Sequence, residues 1–283
     1  MSARSLKIIP VFCLAVLAAL GLVATSPARA AAPQFTSVIA FGDSYSDNGF
    51  ADGWGFQHYT ESVSWVEMLA QKLGVPVEVR AWGGAMSNQR NYSHPEGTDW
   101  SGLAWQVDGY LKDLAPGTDV SDVLFTVLVG SNDAWGGIRD GKITAANIAA
   151  EIDKLAAAGA RHILYVETSA VILGPGYLAG EWAGYAEPWA NLVNQANAET
   201  RVLFADGLKD HPDVKLYYLQ TDPIMTKIKN KEEGYVFENI TDTWKDTYNY
   251  PEPGKYLWFD EWHPMSHFHQ MVSDEALAVL SAE

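Results

Sequence analysis

The chain has 283 residues, of which 48% are hydrophobic and 19% charged, so it can bury a sizeable core. Its formal net charge of −16 disfavours binding to nucleic acids or anionic lipid surfaces, and favours neutral or zwitterionic substrates. The only cysteine is Cys13, so the chain after it has no cysteine for an intramolecular disulfide, a thiolate metal site or a cysteine nucleophile.

The first thirty residues have the organisation of a secretory signal peptide. Arg4 and Lys7 precede an uncharged apolar run over residues 8–24, and small residues on either side of Arg29 offer a cleavage site near Ala30. Removing residues 1–30 takes away three positive charges and no negative one, which changes the net charge from −16 to −19. We expect a secreted or periplasmic domain over residues 31–283 with no stable membrane insertion; a retained N-terminal anchor is the alternative.

After this segment, short apolar strands alternate with amphipathic helices. Strands are predicted over residues 35–41, 75–82, 123–129, 162–166 and 214–219. Three helices are predicted over 65–73, 103–114 and about 148–158. A fourth helix is predicted to end at about residue 204, and the last one to begin near Pro264. The alternation favours one α/β domain, a three-layer α/β/α sandwich with a flavodoxin-like, doubly wound parallel sheet of about five strands.

Three successive predicted strands end in small polar residues. Ser44 follows the first strand, the pair Gly83 and Gly84 follows the second, and Asn132 follows the third. Because the carboxyl ends of parallel strands share one edge of a sheet, these segments can converge. A fourth segment places Asp260 three residues before His263, close enough for the carboxylate to hold the imidazole. Each residue alone also fits a turn or a helix cap.

Taken together and in this order, the four segments resemble the GDSL esterases, also called SGNH hydrolases. The resemblance implies that Ser44 is the nucleophile, that His263 is the general base, and that Asp260 orients His263. It also implies an oxyanion hole formed by the Ser44 N–H, the Gly84 N–H and the Asn132 side-chain amide. Gly83 remains an alternative to Gly84. No metal or cofactor is expected.

Two features depart from the family pattern. Arg80-Ala81-Trp82 stands where relatives often carry an asparagine and a small residue before the glycine pair, which is why Gly83 stays open as the donor. Tyr45 stands where the motif has its leucine. We interpret this position as lying outside the chemistry. The Gly-x-Ser-x-Gly elbow of the α/β-hydrolase fold is absent, which argues against that fold.

The resemblance implies a carboxylic ester hydrolase that acts on small-molecule, glycan or lipid esters, such as acetylated carbohydrates or lipid acyl esters. Two alternatives remain: an acyltransferase with the same catalytic residues, and a non-catalytic carbohydrate-binding module, for which the 11 tryptophans argue. The aromatic residues expected to line a site are Trp54, Phe56, Trp135 and Tyr177. The oligomeric state is not indicated.

Several other polar residues have alternative interpretations. Asp43 and Asp47 are expected to hydrogen-bond the backbone near Ser44. His267 and His269 could suggest a metal site together with His263, but we interpret them as polar positions on the last helix. The sequence also contains two Asn-x-Ser/Thr glycosylation sequons, at Asn91 and at Asn239.

Overall fold

The computed structural model describes residues 34–49, 57–95, 97–205, 207–247 and 251–282. The predicted signal peptide and two of the predicted site-lining residues, Trp54 and Phe56, lie outside the described residues. Within the described ranges, no helix has both the length and the apolar character needed to cross a bilayer.

A five-stranded parallel sheet lies at the centre of the fold. Its strands are β1 (Ser37–Gly42), β2 (Val77–Val79), β3 (Val123–Leu128), β4 (His162–Val166) and β5 (Lys215–Leu219). They lie in the order β2-β1-β3-β4-β5, and every neighbouring pair is parallel. This is the flavodoxin-like order, so the predicted α/β class is confirmed. The strand order reverses at β1 and β3, and such folds bind ligands beyond the carboxyl ends of the strands at this point.

Helices cover both faces of the sheet. They are α1 (Trp65–Leu73), α2 (Leu103–Asp113), α3 (Gly141–Ala157), α4 (Ala186–Phe204), α5 (Asp222–Lys229) and α6 (Ser266–Leu280). Along β1, Val38 and Ala40 pack in one core with α1 and α6, whereas Ile39 and Phe41 pack in the other core with α2 and α3. Burial on both faces explains why the central strands are continuous apolar runs rather than alternating ones.

The second strand is shorter than predicted, because regular pairing ends at Val79. The chain nevertheless stays beside β1: the Arg80 N–H donates to the Ala40 carbonyl at 2.7 Å, and the Trp82 N–H donates to the Gly42 carbonyl at 3.1 Å. This irregular extension carries the backbone to the Gly83–Gly84 pair.

The C-terminal part contains elements that the hydrophobic pattern did not predict. Besides α5, it has a parallel pair of short strands, β6 (Asn239–Thr243) and β7 (Tyr256–Trp258). The last helix begins at Ser266 rather than near Pro264, because Pro264 forms an isolated β-bridge with Trp258. The segment between β7 and α6 is therefore held back against β7, and it contains Asp260 and His263.

Candidate active site

The ends of the strands bring the predicted site residues together. Ser44 lies in the turn after β1, Gly84 follows the extension of β2, and Asn132 lies in a short 3-10 turn after β3. These three residues and His263 line one cavity of about 250 Å³. Asp260 contacts His263 from outside that lining.

The corner before Ser44 depends on a glycine. Gly42 has φ +147°, and a Cβ there would lie 2.1 Å from the Leu128 carbonyl oxygen of the neighbouring strand. The buried Gln106 side chain fixes the backbone on both sides of Gly42, because its Oε1 accepts the Gly42 N–H and its Nε2 donates to the Gly42 carbonyl, both at 2.8 Å. Since only glycine allows this approach, the chain can turn sharply at the sheet edge and present Ser44.

Ser44, His263 and Asp260 form a continuous hydrogen-bonded series. Ser44 Oγ lies 2.9 Å from His263 Nε2, and His263 Nδ1 lies 2.8 Å from Asp260 Oδ1. The N–H groups of Trp262 and His263 also donate to Asp260 Oδ1, at 2.9 and 2.8 Å. This is the arrangement of a nucleophile, a base and a carboxylate that orients the base.

The charge of Asp260 determines which nitrogen of His263 carries hydrogen. Burial alone would raise the pKa of Asp260, but the hydrogen bond and charge of His263 and the two backbone N–H donors lower it below its ordinary value. An ionised carboxylate can only accept, so Nδ1 of His263 is the donor in this contact. Nε2 of the neutral ring is then free to accept the proton of Ser44.

Three residues that line the cavity, Ser44, Gly84 and Asn132, carry the hydrogen-bond donors expected for an oxyanion hole. In the described part of the chain, no residue accepts a hydrogen bond from the backbone N–H of Ser44 or of Gly84. Asn132 Nδ2 donates one hydrogen to the Ala85 carbonyl at 3.0 Å, and an amide has a second hydrogen to give. The Gly83 N–H, by contrast, is already bound to Asp47 Oδ2 at 2.6 Å. This contact favours Gly84 over Gly83 as an oxyanion donor.

Buried aspartates connect the loops that carry these donors. Asp43 accepts the Tyr45 N–H at 3.1 Å and the Ser131 hydroxyl at 3.2 Å, which connects the loops after β1 and β3. Asp133 accepts the N–H and the hydroxyl of Ser87 at 2.7 and 2.5 Å, which connects the loops after β3 and β2. Burial raises the pKa of Asp43 to about 7 and raises the pKa of Asp133 as well. Asp43 and Asp47 therefore bind backbone N–H groups, as expected from the sequence.

Aromatic side chains form much of the remaining lining. Trp135 and Tyr177 lie there as predicted, with stacked rings 5.7 Å apart. Residues not singled out from the sequence join them: Tyr59, Tyr92, Trp182, Trp189 and Trp262. Most of them belong to loops with no periodic pattern, so only their aromatic character could have suggested a role. We call Trp135, Tyr177, Trp182, Trp189 and Trp262 the aromatic wall.

Tyr45 has a role that the motif comparison did not suggest. Its ring lines the cavity, and its hydroxyl donates to the Trp262 carbonyl at 3.2 Å. Tyr45 thereby connects the loop of Ser44 to the segment of Asp260 and His263.

The three C-terminal histidines have separate partners. His269 is not an exposed polar position: it is 2% exposed, and its Nδ1 accepts the Trp65 N–H at 3.2 Å. Burial lowers the pKa of His269 to about 3, so this ring is neutral. His267 lies beside the Gly254 carbonyl instead. Among the described residues, no group of three or more His, Cys, Asp or Glu side chains is arranged to hold a metal ion.

Comparison with known proteins identifies the family and the fold. The model of the GDSL-like lipase/acylhydrolase family matches residues 40–270. A member of the lipolytic G-D-S-L family from Veillonella parvula has a similar fold, with a TM-score of 0.50 and 14% identity over 86% of this chain and 97% of that one.

A candidate arylesterase from Agrobacterium tumefaciens also has a similar fold, with a TM-score of 0.51 and 14% identity over the same shares of the two chains, 86% and 97%. No curated protein matches the sequence. At such identities the solved structures establish the fold, whereas the family match spans most of the chain. The chain therefore belongs to the GDSL-like lipase/acylhydrolase family and is a carboxylic ester hydrolase.

Proposed function

We propose that the protein is a secreted serine esterase that hydrolyses carboxylic esters through an acyl-enzyme on Ser44. The observation that carries the proposal is the series of contacts from Ser44 Oγ to His263 Nε2 at 2.9 Å and from His263 Nδ1 to Asp260 Oδ1 at 2.8 Å. Membership of a hydrolase family favours this activity over a non-catalytic carbohydrate-binding module.

The proposed reaction assigns a step to each of these residues. Ser44 Oγ attacks the ester carbonyl carbon while His263 Nε2 takes the hydroxyl proton, and Asp260 stabilises the imidazolium that forms. The negative oxygen of the tetrahedral intermediate accepts hydrogen bonds from the oxyanion-hole donors, the Ser44 N–H, the Gly84 N–H and the Asn132 amide. Each donor contributes roughly 2.7–4 kcal/mol to lowering the barrier. The intermediate then expels the alcohol, which receives the proton from His263. Water repeats the sequence to release the acid and restore Ser44.

The cavity supports acetylated carbohydrates or lipid acyl esters as substrates. The aromatic wall provides apolar surface against which a sugar ring or an acyl chain can pack. The net charge of −16 favours a substrate without excess negative charge. Secretion follows from the proposed signal peptide at residues 1–30.

The nucleophile is tested with nitrophenyl acetate and a serine-directed organophosphonate. The wild-type protein should release nitrophenol in a burst and take up one phosphonate on Ser44, detected by intact mass and peptide mapping. Ser44→Ala should lower kcat by several orders of magnitude. Ser46→Ala is the matched control, because Ser46 is a buried serine of the same loop whose hydroxyl accepts the Trp65 indole N–H at 3.0 Å. A Ser44→Ala variant that keeps more than about a tenth of kcat would overturn the proposal.

The substrate class is tested by a profile of acyl chain length over nitrophenyl esters, acetylated glycans and phospholipids. Highest kcat/KM on short acyl groups and acetylated glycans would assign carbohydrate esters, whereas a preference for long chains would assign lipid esters. Transfer of the acyl group to an added alcohol in preference to water would make the protein an acyltransferase. Reversible loss of activity on chelation, restored by zinc, would overturn the serine mechanism.

A further inference from the structure

Asn91 lies in a glycosylation sequon, yet the structure places it in the interior beside the proposed oxyanion hole. It is 1% exposed, and both hydrogens and both acceptor positions of its side-chain amide are used within the protein. Its Nδ2 donates to the Gly83 carbonyl at 2.8 Å and to Ser101 Oγ at 3.0 Å. Its Oδ1 accepts the N–H and the hydroxyl of Ser93 at 3.0 and 2.6 Å. Because a backbone N–H can only donate and a carbonyl can only accept, these partners fix which end of the amide faces Gly83.

The contact with the Gly83 carbonyl determines the direction of the Gly84 N–H. Both groups belong to the same peptide unit, and in a planar trans peptide the C=O and the following N–H point in opposite directions. By holding the carbonyl at 2.8 Å, Asn91 turns the N–H of Gly84 away from itself. That N–H has no acceptor among the described residues, and Gly84 lines the cavity that contains Ser44.

Asp47 holds Gly83 from its other side. Its Oδ2 accepts the Gly83 N–H at 2.6 Å, and its Oδ1 accepts the Gly49 N–H at 2.9 Å. Asp47 is only 1% exposed. With Asn91 on the carbonyl and Asp47 on the N–H, both polar backbone groups of Gly83 are fixed. A Cβ on Gly84, where φ is +82°, would lie 2.4 Å from Asn91 Oδ1, so the fit requires glycine there.

We propose that Asn91 and Asp47 are positioning residues that aim the Gly84 N–H at the substrate oxyanion. This inference rests on the proposed function, in which Gly84 is an oxyanion donor. Neither side chain touches the reacting atoms. They act by fixing the two peptide units on either side of Gly83, the second of which carries the Gly84 N–H, before the substrate binds. Such preorganisation matters because a donor that must reorient during the reaction loses most of its effect, and a misplacement of about 1 Å can cost about 100-fold in rate.

The test compares Asn91→Asp with Asn197→Asp. Aspartate has the size of asparagine but, when ionised, cannot donate to a carbonyl. Asn197 is the matched control, since it is 4% exposed and its Nδ2 also donates to a backbone carbonyl at 2.8 Å, that of Thr168 after β4. With nitrophenyl acetate, we expect Asn91→Asp to lower kcat about 100-fold with KM within about threefold. Asn197→Asp should change kcat no more than about threefold while losing similar stability.

Two further measurements separate positioning from general damage. Inhibition by an alkyl boronic acid, which forms a tetrahedral adduct on serine, should weaken in Asn91→Asp by about the same factor as kcat/KM falls. In Asn91→Leu, which removes the donor without adding a charge, the pH at which kcat/KM rises should stay unchanged, because His263 and Asp260 are untouched. A loss confined to KM, a shifted pH profile or an equal loss in Asn197→Asp would overturn the inference.

Asp47→Asn provides a second variant should Asn91→Asp fail to fold. It replaces with an amide NH₂ one of the two carboxylate oxygens that accept the Gly83 and Gly49 N–H groups, and it should lower kcat about 10- to 100-fold. Amide hydrogen exchange in glycine-labelled protein gives a readout that needs no activity. Gly83 should be protected and Gly84 should exchange readily in the wild type, and protection of Gly83 should fall in Asp47→Asn. An exchanging Gly83 in the wild type overturns the positioning inference, whereas an inactive wild type with a protected Gly83 overturns only the proposed function.

Discussion

The two parts of the active-site cavity are constructed differently. The part that carries the proposed oxyanion donors consists of three strand-end loops, connected by buried aspartates with exposures of 0–1%. The aromatic wall consists of large rings from the loop after β3, the loop that precedes α4, α4 itself and the segment before α6, held mainly by ring contacts such as the 5.0 Å edge contact of Trp135 and Trp182. Trp182 is 40% exposed, so the aromatic wall extends to solvent.

This difference separates two tasks. Stabilising a developing charge requires donors fixed to a few tenths of an ångström, which a buried hydrogen-bond network provides. Packing against the uncharged part of a substrate requires apolar area and tolerates adjustment of the rings. We therefore expect substitutions in the hydrogen-bonded loops to lower kcat and substitutions in the aromatic wall to raise KM.

The largest effect after loss of Ser44 is expected for Asp260→Asn. The amide cannot stabilise the imidazolium and favours the wrong tautomer of His263, so kcat should fall by up to about 10⁴. The rising limb of kcat/KM should also move to lower pH, because the negative charge beside the ring is lost. Asp222→Asn is the control, because this carboxylate also accepts a side-chain hydrogen bond, from Ser169 Oγ at 2.7 Å, and neither residue lines the cavity of Ser44. A pH profile unchanged in Asp260→Asn would show that another group holds His263.

Asn132→Ala should lower kcat by about 10²–10³ with a smaller change in KM, because its amide acts mainly on the transition state. Asn147→Ala removes the same amide from a side chain that donates to Ser87 Oγ at 2.9 Å and does not line the cavity. It should leave kcat within a few-fold. If Asn132→Ala changed KM alone, the residue would bind the ground state, and the division between the two parts of the cavity would fail.

Trp135→Ala should raise KM about tenfold while kcat changes less than about threefold, because apolar contact with the bound ester is kept from ground state to transition state. Tyr185→Ala is the matched control. Its ring lies 5.5 Å from that of Trp135 but is absent from the lining of the catalytic cavity. A Trp135→Ala variant with unchanged KM and a large loss of kcat would mean that this ring positions the oxyanion donors as well.

The smallest effect on kcat is expected for His269→Asn, which changes the pH dependence of stability. This variant distinguishes unfolding at low pH from loss of activity at low pH. Burial lowers the pKa of His269 to about 3, with the charge of His263 acting in the same direction and that of Glu67 against it. Between pH 3 and about 6.5 the unfolded chain binds the extra proton. The free energy of unfolding should therefore fall as pH drops, by up to about 1.4 kcal/mol per pH unit from this group. Denaturant titrations at several pH values should show a weaker pH dependence of the unfolding free energy in His269→Asn. His267→Asn, a substitution on the same helix, is the control and should keep the wild-type dependence. Equal slopes in all three proteins would contradict the prediction.

The sequence predicted the elements in which one physical signal dominates. The buried strands β1, β3 and β4 are continuous apolar runs, and Gly74 ends α1 in a left-handed conformation at φ 72°, as its position after the apolar pattern indicated. The landmark residues Ser44 and His263 could be identified because they stand at the boundaries of such elements.

The remaining features depend on contacts between distant parts of the chain. Nothing local marks Asn91 as a buried residue, because its burial follows from partners as separate as Gly83 and Ser101. The strand β6 is short and half exposed, so it has no hydrophobic period to read. The sequence indicates only that Tyr45 replaces a leucine outside the chemistry. Its hydrogen bond to the Trp262 carbonyl joins residues that are 217 positions apart, so no local pattern predicts it.

The buried Asn91 also bears on the choice of organism for producing the protein. In a eukaryotic secretory pathway the sequon of Asn91, completed by Ser93, is a potential acceptor for an N-linked glycan. A glycan would be attached to Nδ2, the atom that donates to the Gly83 carbonyl, and the folded interior has no room for it. Chains modified there before folding should be retained and degraded, so yields from yeast or mammalian cells should fall below those from bacteria. Ser93→Ala should restore them, since it removes the sequon but keeps the backbone N–H that binds Asn91 Oδ1.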